Sequence, residues 1–407
     1  MYRKKLKMQF AILGALTLAI SGCGGTDKTS ESDDSVKVLL VSQLSSSTYG
    51  FPEIEPVVLA RAKLANENGG LQGRPVEVIV CNDGLDVNKA TACARKAVEQ
   101  KVAAVLSTST TMSEMMLPIL EKAGIPYVNS PMNTPMESSS PVSFPFTGGY
   151  IATGARIGKA LIERGCKKVA GVGYDGVPTQ IFLGAIRMGV ESQGAEWGGN
   201  TIISRTAADL SPTVSELTGR GVDCIGASLP SEAVQKIVAA SSQSGKRLIV
   251  GGSSVSFSES IIKDMGESAE GFVIVSTQLS TADDDHPAVQ EMVEKMKSVG
   301  LSDGDINGLF SVQAWAGASI LFGAMEKAEG LNAKGVLEAL GAMEEPATTL
   351  YGKFTTAEEF DLEKYPRMFN RSAIAYVVED AVMTRVDKEF QDMSDVIRDF
   401  GPQFLPN

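Results

Sequence analysis

From residue 36 onward, short apolar runs alternate with amphipathic stretches of helical period. Residues 36–41, 76–80, 102–106 and 125–128 are brief, mostly apolar runs of the kind that form buried strands. Between them, 56–68, 88–100 and 113–122 repeat apolar residues every three or four positions. Val57, Ala60, Leu64 and Ala65 share one face of the first stretch; Ala90, Cys93, Ala94 and Ala97 share one face of the second. Gly69 and Gly70 end the first helix. The order β-α-β-α-β-α-β predicts an open parallel sheet with helices on both faces.

The pattern then restarts. Helices are predicted over 154–164, 179–193, 212–218 and 232–244, between strands at 169–173, 196–203, 224–227, 248–250 and 272–275. Helical stretches at 288–299, 310–328 and 333–340 follow. The expected fold is α/β, with two doubly wound, Rossmann-like lobes. Open parallel sheets bind ligands beyond the carboxyl ends of their strands, so two facing lobes predict a cleft that closes by a hinge.

Composition fits this picture and narrows the chemistry. The chain has 407 residues, 43% hydrophobic and 21% charged, which suits two globular units. It has one histidine, which weighs against Ser-His-Asp catalysis and His-rich metal sites, and no metal is expected. A net charge of -12 argues against nucleic acid as a partner, because phosphate recognition relies on Lys and Arg.

The first residues have a different pattern. Arg3, Lys4, Lys5 and Lys7 precede an apolar run over 8–20, and Ser21 and Gly22 stand before Cys23. Residues 1–22 therefore read as an export signal too short to span a bilayer. A cysteine directly after small residues resembles a bacterial lipobox, which implies cleavage before Cys23 and lipid attachment to its sulfur. Cleavage would remove four bases and no acids, leaving 33 Lys and Arg against 49 Asp and Glu, a charge of -16. Residues 23–35 carry nothing apolar to bury after Cys23 and read as a disordered tether. The expected location is the outer face of a plasma membrane or the periplasm, with membrane contact through the lipid alone.

Outside the cytoplasm, the four remaining cysteines suggest two disulfides, for which three pairings exist. Cys81 ends a predicted strand and Cys93 lies on the next helix, while Cys166 and Cys224 each stand at the start of an apolar strand. That placement favours Cys81–Cys93 and Cys166–Cys224.

Four motifs carry a resemblance. Asn66-x-x-Gly69-Gly70-Leu71-x-Gly73-Arg74 resembles the helix exit of type I periplasmic binding proteins. Asp83-x-x-Asp86-x-x-x-Ala90 resembles that family's strand-to-helix turn, and Thr108–Thr111 and Ile125–Pro131 resemble its next two strand ends. From residue 36 to about 380, the chain is similar in order and spacing to the branched-chain amino-acid (Leu/Ile/Val-type) branch of ABC-transporter substrate-binding proteins. The resemblance implies three crossovers, placed near 144–147, 276–279 and 345–351. Lobe 1 would be 36–146 plus 279–345, and lobe 2 would be 147–275 plus 351–407. The implied function is extracytoplasmic capture of a small solute, delivered to an ABC permease, with no cofactor.

The resemblance also implies a set of ligand contacts. Ser109 and Thr110, ahead of a helix N-terminus, and Pro131, Met132 and Asn133 after the next strand align with the groups that hold a ligand carboxylate. Tyr49 aligns with an aromatic residue in the loop after the first strand, while Gln43 reads equally as a strand-end polar group. The positions that pair with a ligand ammonium are Tyr150 and Ser253 here, and Leu229 replaces a usual aromatic. An ammonium buried without a carboxylate is costly. The expected ligand is therefore an organic or aromatic acid or an amino-acid-like compound, and not an ordinary branched-chain amino acid. Asp175 and Glu232 remain as acids near the cleft, and Trp315, on an apolar helix, reads as core.

Two other readings differ in class. An enzyme is disfavoured, because Gly171-Val172-Gly173 lacks GxGxxG spacing and Asp283–His286 reads as a solvated loop before Pro287. A sensor of the same fold would use the same cleft and signal to a membrane receptor or kinase.

Overall fold

The computed structural model describes residues 35–405. The predicted export signal, Cys23 and nearly all of the tether lie outside the described residues. The chain begins with β1 (Val36–Ser42), α1 (Ile54–Glu67), β2 (Val76–Asn82), α2 (Val87–Glu99), β3 (Ala104–Ser107), α3 (Ser113–Ala123), β4 (Tyr127–Val128) and β5 (Ser143–Phe144). The five strands form one parallel sheet in the order β2-β1-β3-β4-β5.

It continues through α4 (Gly149–Glu163), β6 (Lys168–Tyr174), α5 (Val177–Glu191), β7 (Glu196–Ile203), α6 (Ser211–Gly219), β8 (Cys224–Ser228), α7 (Ser231–Gln243), β9 (Ile249–Ser253), α8 (Glu259–Met265) and β10 (Val273–Ser276). Helices α9 (Pro287–Ser298), α10 (Asp303–Ile306), α11 (Ser311–Glu326) and α12 (Ala333–Gly341) follow. The chain ends with β11 (Ser372–Glu379), β12 (Val382–Arg385), β13 (Gln391–Asp392) and α13 (Ser394–Phe404). The second sheet runs β12-β11-β10-β9-β8-β6-β7, with β13 paired to β11. Its members up to β10 pair in parallel, whereas β11 joins antiparallel to β10 and β12. The predicted two-lobed α/β architecture is thus present. Helices α9, α10 and α11 return to pack on α1, so the first lobe is built from separated segments.

Local chemistry explains the landmarks. Asp86 caps α2 by accepting from the Asn88 and Lys89 N–H groups, each at 2.9 Å. The motif after α1 is a brace. The Asn66 amide accepts from Val76 N at 2.7 Å and donates to Val76 O at 3.0 Å, pinning the start of β2 to the end of α1. Gly70 within it has φ +78°, and a Cβ there would lie 2.1 Å from Arg74 O. Cys81–Cys93 joins β2 to α2, and Cys166–Cys224 joins the entries of neighbouring strands β6 and β8, as the strand placement favoured.

Two departures from the sequence reading matter. Helix α4 starts at Gly149, five residues before the predicted position, so Gly148 and Gly149 do not keep the helix from starting there. Gly149 instead turns the chain at φ +52°, where a Cβ would meet Pro131 O and Met132 O at 2.8 and 2.9 Å. No strand is predicted past residue 351, yet β11 extends the second sheet between β10 and β12. Among the described residues no helix is long and apolar enough to cross a membrane.

Three passages link the sheets: 145–148, 277–286 and 342–371. They are bonded to one another. Leu279 N donates to Leu350 O at 2.9 Å. The buried Asn370 amide donates to Phe146 O at 2.9 Å and to Tyr351 O at 3.2 Å. The Tyr351 hydroxyl donates toward Asn129 Oδ1 at 2.8 Å and lies 3.0 Å from Gln313 O, tying the last passage to the end of β4 and the start of α11.

Candidate functional site

A cavity of about 420 Å³ opens between the two sheets at the carboxyl ends of their strands. Gln43 follows β1, Ser109 and Thr110 follow β3, and Pro131 and Asn133 follow β4; all five line it. The opposite wall takes Tyr150 and Thr153 from α4, Ser253 from β9, and Ser276 and Gln278 from the end of β10. Of the ten expected contacts, Tyr49, Ser109, Thr110, Pro131, Asn133, Tyr150 and Ser253 are brought together here.

The other three lie elsewhere. Met132 is buried against Ile151 and Ile181 behind the wall. Asp175 follows β6 and is exposed, and Leu229 follows β8 and is packed in the core. The cavity wall uses β9 and β10, whereas β8 and β6 are the next strands outward in the sheet, so their exits fall outside it. Glu232 is exposed on the first turn of α7. Trp315 is buried at 5% exposure on α11.

The loop that carries Tyr49 is held by Gln43. The Gln43 amide donates to Tyr49 O at 2.9 Å, and Gln43 O accepts from Phe51 N at 3.0 Å. Tyr49, Phe51 and Phe310 form an aromatic ridge, with ring centroids 5.7 and 4.4 Å apart in edge-to-face contact. Across the cavity, Tyr150 stacks edgewise on Phe182 at 5.7 Å. Burial, with smaller effects of Tyr49 and Glu137, raises the Tyr150 pKa, so its phenol is a neutral donor at pH 7. Thr110 Oγ1 accepts from Met112 N at 3.0 Å at the entry to α3.

Sequence reasoning missed Glu137. It is fully buried behind the Asn133 wall, where its carboxylate accepts from Asn133 N at 2.5 Å, Thr134 N at 2.9 Å and Ser113 Oγ at 2.5 Å. Burial pushes its pKa up to about 7, against the lowering effect of those hydrogen bonds. The signal was present, because Thr134-x-x-Glu137 has capping-box spacing. Phe51, Phe310 and Gln313 were also missed, because loops and a distant helix bring them in.

None of the residues lining the cavity is Asp, Glu, Lys, Arg or His. Helices α4 and α11 begin in its wall, and α3 begins just behind Thr110. Their free N–H groups supply partial positive charge without a cation. Such a site holds and orients a small molecule. Its only titratable side chains are the phenols of Tyr49 and Tyr150.

Two α/β lobes sharing an uncharged cleft at their strand ends define a two-lobed solute-binding architecture. Residues 35–365 match the family model described as periplasmic binding protein, and the chain belongs to that family, in its type I form. Among curated proteins none matches the chain. Solved structures agree on the fold. A Rhodospirillum rubrum protein assigned to branched-chain amino acid ABC transport superposes with a TM-score of 0.71 at 21% identity, covering 86% of this chain and 100% of that one. A fatty acid ABC transporter substrate-binding protein from Thermomonospora curvata gives 0.71 at 18%, covering 92% and 95%. An ABC transporter solute-binding protein from R. palustris, in complex with 4-hydroxybenzoate, gives 0.71 at 18%, covering 88% and 97%.

Proposed function

We propose that this chain is an extracytoplasmic, lipid-anchored receptor that captures a small organic or aromatic acid and delivers it to an ABC permease. Residues 1–22 are its export signal, Cys23 bears the lipid, and 23–35 are the tether. Lobe 1 comprises 36–146 plus 279–345, and lobe 2 comprises 147–275 plus 351–407. Family membership and the ABC-transporter assignments of the similar structures support delivery to a permease.

The uncharged cleft lining carries the ligand class. An α-amino acid needs a carboxylate beside its ammonium, and burying that cation unpaired costs several kcal/mol. A lone carboxylate needs only donors. Thr110, Ser109, Asn133 and the helix N-termini supply them, and the rings of Tyr49, Phe51 and Phe310 cover an apolar body. Of the similar structures, one is assigned to a fatty acid and another holds 4-hydroxybenzoate, both acids without an amine.

Calorimetry with 4-hydroxybenzoate, benzoate, hexanoate, leucine and valine tests this reading. At least one of the three acids should bind more tightly than either amino acid. Thr110→Ala and Tyr150→Ala should each weaken binding about tenfold, the worth of one good hydrogen bond. Sub-micromolar affinity for leucine or valine sinks the proposal.

A further inference from the structure

A second cavity, of about 550 Å³, shares no lining residue with the cleft. It lies on the first lobe between α1, α9, α11 and residues 347–350. Arg61 of α1 is its central feature. Trp315, Ser319 and Phe322 recur on one face of α11, at the helical spacing that aligns side chains. The Arg61 guanidinium lies against that face. Its Nε donates to Ser319 Oγ at 3.0 Å, and its carbon sits 6.0 Å from the Trp315 ring centre and 5.3 Å from that of Phe322.

Arg61 has no carboxylate within 4.0 Å among the described residues, and neither Nη group donates to the protein. The other charges in the wall are engaged. Lys295 pairs with Glu291 at 2.5 Å, and Glu326 Oε2 accepts from Gln72 N at 3.1 Å. A half-buried, always-protonated guanidinium beside an open cavity can receive an anion by its chemistry. Leu64, Leu71 and Phe322 make the remaining wall apolar.

We propose that this cavity is a second ligand site, which binds a small organic monocarboxylate with its carboxylate on the Nη groups of Arg61 and its chain against Leu64, Leu71 and Phe322. A dianion fits less well, because Glu291 and Glu326 also stand in the wall, where Arg61 is the one cation without a carboxylate partner among the described residues. The wall includes Leu350, whose carbonyl accepts from Leu279 N in the connecting passages, so an occupant touches the hinge. This site stands apart from the cleft reading and does not depend on it.

Arginine side-chain NMR on the chain labelled with ¹⁵N, titrated with hexanoate, tests it. The Arg61 Nε–H resonance, assigned by its absence in Arg61→Lys, should shift saturably and do so equally in Tyr150→Ala. Arg61→Lys keeps the charge and loses the planar fork. Its affinity for hexanoate at this site, followed by the methyl signal of Met292, should fall at least about tenfold. No saturable shift up to about 50 mM, well beyond the millimolar range of a weak site, overturns the proposal. So does a shift that disappears in Tyr150→Ala, which would be transmitted from the cleft, or an unchanged affinity in Arg61→Lys.

Discussion

At the scale of single residues, Glu137 has a measurable consequence. Its carboxylate organises the Asn133–Thr134 turn of the cleft wall, yet it is fully buried and its pKa is pushed up to about 7. In the unfolded chain it titrates near the ordinary glutamate value of about 4.3. Between these values the folded protein holds a proton that the unfolded chain has lost. Stability from this group is therefore full below about pH 4.3 and is lost as pH rises through 7. The loss comes to about 4 kcal/mol. Urea unfolding of wild type and Glu137→Gln at pH 5 and pH 8 checks this. The wild type should lose more stability than the variant between the two, and equal losses would place the proton elsewhere. Sequence reasoning reached Asn133 through its strand end but not the acid behind it: capping-box spacing marks Glu137, whereas its burial is a tertiary fact.

At the scale of elements, the disulfides allow a ranked prediction. Cys81–Cys93 closes 12 residues and Cys166–Cys224 closes 58. On the chain-entropy account, the shorter loop stabilises by about 3 kcal/mol and the longer by about 4. Paired Cys→Ala variants, compared by urea unfolding, should show the larger loss for Cys166–Cys224; the reverse order would mean that residual structure or local packing dominates. The bridges were legible because parallel strands start at one level, and β6 and β8 are neighbours. The β11–β12 hairpin was not. Its two-residue loop is Asp380–Ala381, both at positive φ, where Asn-Gly or Asp-Gly is the usual signal. Without that signal, and after a long helical region, the apolar run 372–378 had nothing to mark it as a strand. The exits of β6 and β8 misled in another way. Period and order give the strands, but not which of them border the cleft.

At the scale of the whole molecule, the cleft and the connecting passages predict motion. A ligand closes two lobes only through contacts that both supply, because equal affinity for the open and closed forms shifts nothing. Here the first wall offers Thr110 and Asn133, and the second offers Tyr150 and Ser253. The passages between them are not loose. Asn370 holds Phe146 O and Tyr351 O, and Leu279 holds Leu350. Asn370→Ala would leave two buried carbonyls unpaired, at about 1–3 kcal/mol each. Its unfolding free energy should therefore fall by about 2–6 kcal/mol, whereas Thr110→Ala, at the partly open cleft, should cost less. Closure itself is read by small-angle scattering with and without saturating 4-hydroxybenzoate. Wild type should contract on binding. Tyr150→Ala should contract less at equal occupancy, because its second wall has lost a phenol that contributes only when the lobes meet. If both contract equally, closure is driven from the first lobe alone, and the two-wall account fails.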